Sequence, residues 1–341
     1  WGCAPSPPVA ISVLLIFSRT GNNVAPSRHS ESDVNNPSPA RAASASPQQT
    51  GVLPLILLFA LGLGFGVSFT LNKLATTNGV PFIPYVFWQS AGAALLLVVA
   101  ALGLRQLPAV TGAHIRIYVV MALLNVAIPY LVLSYVAPKL PAGLLPIGLA
   151  LVPGVIYLMA LALRQERFGV LRFGGICLGL VGVLVILLPK ASLPEPDMVG
   201  WLALSLVATL AFSLRAVLVP LMRPPATTSL SLACGLLIAA TIIMLAIMAA
   251  SGEWWAFEGD FGIGHGATVA GMFNNALILV LIFTVIRMSG PVFFGAVNYI
   301  SMLVGVALGM LVFGEQHSLW VWLAIALVLV GLYLVNRGKA R

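Results

Sequence analysis

From residue 52 onward, long apolar runs alternate with short polar connectors. The runs occupy 52–71, 83–104, 115–136, 142–163, 169–188, 199–219, 230–250, 267–286, 291–313 and 319–335. Each approaches or exceeds the roughly 20 residues that a helix needs to cross about 30 Å of hydrocarbon. Lipid cannot hydrogen-bond a free backbone, and barrel strands would be about half this length with alternating polarity. The pattern predicts an all-α integral membrane protein with ten transmembrane helices. The first fifty residues are different. "NNVAPSRHSESDVNNPSPARAASASPQQT" is rich in Pro, Ser, Ala and Asn and has no apolar period, so 1–50 is expected to be a disordered tail. The apolar patch at 9–17 lacks the preceding charge of a signal peptide. The chain begins at Trp1, and translated sequence upstream of the native protein is one origin for such a tail.

Composition narrows the choice of function. The chain is 60% hydrophobic and 8% charged, against about 45–50% and about 25% in soluble domains, which excludes a water-soluble fold. Cys3, Cys177 and Cys234 lie far apart, two of them in apolar runs, so neither a disulfide framework nor a zinc site is expected. The net charge of +8 is spread singly between apolar runs, without the basic patch that nucleic-acid binding needs. No Gly-x-x-x-x-Gly-Lys-Ser/Thr motif occurs, so nothing encodes direct ATP drive. Neither a cofactor nor a metal is expected.

The positive charges orient the chain instead. With a cytoplasmic N-terminus, the inside loops and inner helix ends carry Arg105, Arg116, Arg164, Arg167, Arg172, Arg215, Arg223, Arg287, Arg337, Lys339 and Arg341, eleven against the three outside, Lys73, Lys139 and Lys190. The positive-inside bias puts both termini in the cytoplasm, and a bacterial inner membrane is the expected location.

The chain also repeats itself. "LRQERFGVLRFGGICLGLVGVLVILLPK" (163–190) and "VFGEQHSLWVWLAIALVLVGLYLVNR" (312–337) align without a gap, Glu166 on Glu315 and Gly182 on Gly331, a separation of 149 (315 − 166). That offset maps the fourth and fifth runs onto the ninth and tenth. Two five-helix halves, 51–190 and 197–337, follow. Five is odd, so the second half must enter the membrane from the opposite side. Inverted repeats are a recurring plan of secondary transporters, because exchanging the conformations of the halves turns an inward-open molecule outward.

These features resemble a known family. The Gly-rich first run (Gly62, Gly64, Gly66, with Lys73 at its end), "LSYVAPKLPAGLLPIGLALVPGVIYLMALALRQER", and the Glu-then-Gly segment ends are similar to the drug/metabolite transporter superfamily, EamA type, over 52–337. The resemblance implies a ten-helix exporter or importer of small metabolites or drugs, with export favoured and both termini cytoplasmic; an enzyme is not expected. Three positions depart from the family pattern: Phe65-Gly66-Val67-Ser68 replaces a frequent Trp-Gly-Ser-Asn, Gln89 stands where an Arg is frequent, and Met302 stands where the first half has Pro153.

Polar side chains inside a membrane are costly and mark sites. Asn125 and Asn274 are 149 apart (274 − 125), at corresponding points of the two halves, and are the leading substrate-contact candidates. Tyr130, Ser134, Asn275, Asn298, Tyr299, Ser68 and Asn72 extend the set, with Trp88 as a flat wall. Amides and hydroxyls of this kind suit a zwitterion or a neutral polar solute. Gly62 and Gly66, Gly175 and Gly179, and Ser301, Gly305 and Gly309 form small-residue stripes for close packing or sliding. Pro146 and Pro153 remove backbone donors in the fourth run and free the carbonyls of Ala142 and Leu149. Lys73 is expected to snorkel to the interface, and Glu315 to shape its loop. No Asp, Glu or His lies in any run, which argues against a proton relay and against an intramembrane enzyme. A non-transporting assembly protein is the remaining alternative. The expected partners are a small-molecule solute and the lipid bilayer, with a homodimer left open and nucleic acid ruled out.

Overall fold

The computed structural model describes residues 52–163, 168–187, 198–225, 227–294 and 297–337. The tail 1–50 and Glu166 lie outside these residues. Among them every regular element is helical. We number the helices α1 (Val52–Thr77), α2 (Phe82–Gly103), α3 (Gly112–Lys139), α4 (Leu145–Ala162), α5 (Val170–Leu187), α6 (Met198–Met222), α7 (Ser229–Ser251), α8 (Ile263–Phe294), α9 (Val297–Phe313) and α10 (Leu319–Arg337). Seven of them, α1 to α4 and α6 to α8, contain stretches long and apolar enough to cross a membrane, and the described parts of α5, α9 and α10 are apolar as well.

Local chemistry sets the helix ends. Thr111 and Thr228 cap α3 and α7, each hydroxyl accepting a hydrogen bond from the backbone N–H three residues on. Gly252, at φ +72°, closes α7 in the left-handed conformation that glycine adopts most easily. The sequence pattern places a break before Pro291, yet α8 runs without interruption through "MSGP" to Phe294.

Two helices are irregular, each at a proline. In α3, Pro129 has no N–H to offer the carbonyl of Asn125. The helix widens there into a π turn over Leu123–Ala127, with Ile128 N–H donating to the Leu123 carbonyl. Asn125 sits inside that turn. In α4 the helix divides into Leu145–Leu149 and Val152–Ala162. The expected free carbonyl was Leu149; those taken up from outside the helix are Gly148, which accepts from Thr209 Oγ1 (3.0 Å), and Val152, which accepts from Ser213 Oγ (3.3 Å). Hydroxyls of α6 thus reach two carbonyls beside the break. The corresponding α9, with Met302 instead of proline, is continuous.

Packing follows the small residues. α1 lies against α8 and α9, α2 against α7 and α8, α3 against α6 and α7, α4 against α6, and α5 against α10. A Cβ on Gly62 would strike Ile300, one on Gly66 would strike Val304, and one on Gly305 would reach the Pro146 ring at 2.8 Å. At the α5–α10 contact a Cβ on Gly331 would stand 2.5 Å from the Gly175 carbonyl and 2.8 Å from the Gly179 nitrogen. The opposite faces are apolar and exposed: Leu55, Phe59 and Leu63 form such a stripe at four-residue spacing on α1. In water that stripe would drive aggregation, whereas in lipid it is solvated. The Lys139 ammonium lies over the rings of Tyr135 (3.6 Å) and Trp201 (3.8 Å), a grouping typical of a membrane–water boundary.

Because Gly331 meets backbone and not the end of a flexible side chain, Gly331→Leu is expected to destabilise the folded protein in detergent by about 1–3 kcal/mol or more. Gly103→Ala, where a Cβ meets nothing within 4 Å, is expected to leave the thermal midpoint unchanged. Thermal unfolding of the two variants side by side checks both.

Candidate functional site

Asn125 and Asn274 each tie two helices together. Asn274 Nδ2, on α8, donates to the Gly64 carbonyl (3.0 Å) and to Ser68 Oγ (2.8 Å), both on α1, while Ser68 Oγ donates to the same carbonyl (3.1 Å). Gly64 makes this approach possible, since a Cβ there would meet Asn274 Oδ1 at 3.3 Å and Ile278 at 3.0 Å. Asn125, on α3, accepts through Oδ1 from Arg215 Nη1 of α6 at 2.7 Å. The two asparagines therefore do not share a bond. Each reaches across to the other half of the chain.

Arg215 was expected at the inner membrane surface and is instead directed into the bundle. It lies seven residues before the end of α6 (222 − 215), about 10 Å along the axis. Helical side chains lean toward the N-terminus of their helix, and this lean carries the guanidinium away from the near surface, up to Asn125. Around it stand Phe212, whose ring centre is 5.8 Å from the guanidinium carbon, and Tyr130, close enough to interact electrostatically. The Tyr130 and Phe212 rings meet edge to face at 6.4 Å. Tyr130 also packs against the core cluster that contains Tyr85 of α2, whose hydroxyl accepts from Gln89 Nε2 at 3.4 Å. Gly271 of α8 leaves room beside that pair. A polar cluster thus runs from α2 through α3 to α6, with Asn125 and Tyr130 in it.

The other candidates are distributed more widely. Ser134 of α3 and Asn72 of α1 are buried, and Ser134 Oγ and Asn72 Oδ1 have no hydrogen-bond partner among the described residues. Asn275 is buried on α8. Asn298 and Tyr299 are half-buried in the first turn of α9. Trp88 belongs to a separate aromatic group: its indole N–H donates to the Trp255 carbonyl (2.8 Å) in the α7–α8 connector, and its ring packs on Phe257 at 5.2 Å.

A second polar centre joins α1 to the start of α4. Lys73, expected to snorkel free, pairs with Glu315 at 2.7 Å, Nζ to Oε1, and lies over the Phe313 ring at 4.7 Å. The same carboxylate accepts backbone hydrogen bonds from Ala142 N (2.5 Å) and Gly143 N (3.1 Å). Glu315 thereby holds the α9–α10 connector against two other segments. His317 is nearby, with Nε2 3.7 Å from Glu315 Oε2. Burial pushes its imidazole below the ordinary value, Glu315 opposes this, and Lys73 adds to the lowering.

Length, apolarity and helical content define a multi-pass integral membrane protein. Residues 52–188 match the EamA-like transporter family, the family that the sequence motifs of this first half resemble. No curated protein matches the chain by sequence. Among solved structures, one described only as the crystal structure of a protein is similar at a TM-score of 0.56 and 17% identity, over 81% of this chain and 97% of that one. At that identity the likeness concerns the fold. Its coverage is too long to fit within 52–188, so the shared fold extends into the second half.

Arg215 and the Lys73–Glu315 pair escaped the sequence reading for one reason: their partners are remote in the chain. The only sequence signal for the first was an arginine inside an apolar run, and for the second a helix-end lysine.

Asn274→Ala is expected to lower stability by about 0.6–2 kcal/mol, and Ser68→Ala to add little once Asn274 is gone, because the two share one hydrogen-bond group. Thermal unfolding of the single and double variants measures this. Acid should weaken the Glu315 centre. The packed state keeps His317 neutral, so the opened state takes up the proton first, and the contribution of the ring is complete above roughly pH 6.5 and declines as pH falls through that value. Between pH 7.5 and 5.5 the thermal midpoint is expected to fall further in the wild type than in His317→Gln.

Proposed function

We propose that the protein is a secondary transporter that exports small organic solutes by alternating access, with all ten helices crossing the membrane as two inverted five-helix repeats, 51–190 and 197–337. The family match over the first half is the observation that carries this reading. The packing scheme supports the repeats. With the 149-residue offset α1 to α5 correspond to α6 to α10, and the pair α1 with α8 becomes α6 with α3, α1 with α9 becomes α6 with α4, and α2 with α8 becomes α7 with α3. Each of these pairs occurs. The pairs α2 with α7 and α5 with α10 map onto themselves, as contacts on an axis between two related halves must. The asparagine ties obey the same scheme, α8 to α1 and α3 to α6.

In this reading both termini are cytoplasmic and the membrane is a bacterial inner membrane. The Lys73–Glu315 centre then lies on the outer side, where the α9–α10 connector of one half grips α1 and α4 of the other. In this bundle α5 and α10 lie against each other. Alternating access requires the α1–α8 and α3–α6 contacts to open in turn, so Asn274 and Asn125 sit at the moving seams.

The test is metabolite release. Cells expressing the full chain are compared with cells expressing Asn125→Ala/Asn274→Ala at equal membrane levels, and small molecules in the medium are quantified. A solute accumulating outside only with the intact protein is the expected result. Identical media from the two strains and from cells without the protein would overturn export.

A further inference from the structure

We infer that the transported solute is a small monocarboxylate and that Arg215 binds its carboxylate. The inference rests on the transporter reading and names its substrate class. Arginine stays charged at any accessible pH, and a charge within a membrane persists only with a partner or a functional reason. No Asp or Glu occurs in any described helix, and among the described residues no ion pair involves Arg215. Its hydrogen bond goes to a neutral amide, and its Nε is buried without a partner. The partly buried guanidinium of Arg215 therefore has no counter-ion among the described residues.

The neighbouring groups point to the same ligand. A guanidinium only donates, so the Asn125 atom facing it must be the amide oxygen. That fixes the amide and leaves both Nδ2 hydrogens for a different acceptor. Beside the arginine the site therefore presents donors: Nε and the remaining guanidinium hydrogens, and Asn125 Nδ2. A cluster rich in donors with one fixed positive charge is complementary to an oxyanion, and the planar guanidinium fork matches two oxygens of one group. Charge selects among oxyanions. A carboxylate carries one negative charge and neutralises Arg215, whereas a phosphate monoester at about −1.5 to −2 would leave an excess buried in lipid. Phe212 and Tyr130 supply apolar ring surface for an organic tail. The asparagine turn places this set at mid-helix, where Pro129 has opened the α3 backbone.

The test uses full-length protein reconstituted in phosphatidylcholine vesicles loaded with benzoate, phenylacetate and hexanoate together with their primary amides, benzamide, phenylacetamide and hexanamide. Efflux of each is followed by mass spectrometry. The expected result is efflux of at least one acid about tenfold faster than its amide, a preference that Arg215→Gln abolishes, as removal of one partner of a buried charge pair requires. Asn125→Asp guards against misfolding of that variant. It places a carboxylate on Arg215 within the protein, so the thermal midpoint rises while acid efflux falls at least about tenfold. Efflux of acids and amides alike, unaffected by either substitution, would overturn the inference and leave the transporter reading standing. Absence of efflux for every solute would overturn both. A thermal midpoint that falls in Asn125→Asp would also count against the inference, because Arg215 would then not lack a counter-ion.

Discussion

Everything in this fold answers to one constraint: inside a bilayer no polar group can fall back on water. Helices meet that constraint along their length, and trouble begins wherever the helical ladder is broken or a polar side chain must be placed. The chain resolves these points between helices. Thr209 and Ser213 bond to the α4 carbonyls at its break, Asn274 takes the Gly64 carbonyl with Ser68, and Glu315 takes two backbone donors at the start of α4. Hydrophobic burial cannot hold these helices together, since lipid is as apolar as they are. Close approach at glycine and a few polar ties do so.

In the proposed alternating-access cycle, that division of labour puts the polar ties at the seams that would open. A bond worth about 0.6 to 2 kcal/mol between helices is strong enough to bias one arrangement and weak enough to be exchanged for another. The α5–α10 contact is of another kind: Gly331 against Gly175 and Gly179 brings backbone onto backbone and leaves no side chain to adjust. On the proposed reading it would serve as the fixed axis, with α1, α3, α6 and α8 moving about it.

Much of this was legible in the sequence, for physical reasons that particular residues make plain. Apolar run length located most helix ends to within four residues, because hydrocarbon thickness sets it, while α1 ends six residues after its run (77 − 71), α8 eight after (294 − 286) and α9 begins six after (297 − 291). The asparagine pair stood out because an amide is conspicuous among leucines. Sequence pattern failed where meaning depends on a distant partner. Arg215 looks like a surface charge near a helix end until α3 brings Asn125 to it, and Lys73 looks solitary until Glu315 arrives from 242 positions away. The π turn was foreshadowed by Pro129, four residues after Asn125, yet the choice between a kink and a widened turn is made by packing. At "MSGP" the breaker residues misled, because α8 continues through them.

The lone guanidinium of α6 has an electrical consequence. In the transport cycle proposed above, the empty site would carry one positive charge across the membrane, and with a monocarboxylate bound it would carry none. A potential negative inside then acts on the empty carrier alone, drawing its site back toward the cytoplasm with up to about 2.3 kcal/mol per 100 mV for a charge crossing the whole field. The loaded passage is indifferent to voltage and the return is pulled. A carrier so built runs outward without a partner ion, its direction set by the charge it keeps when it has nothing to carry.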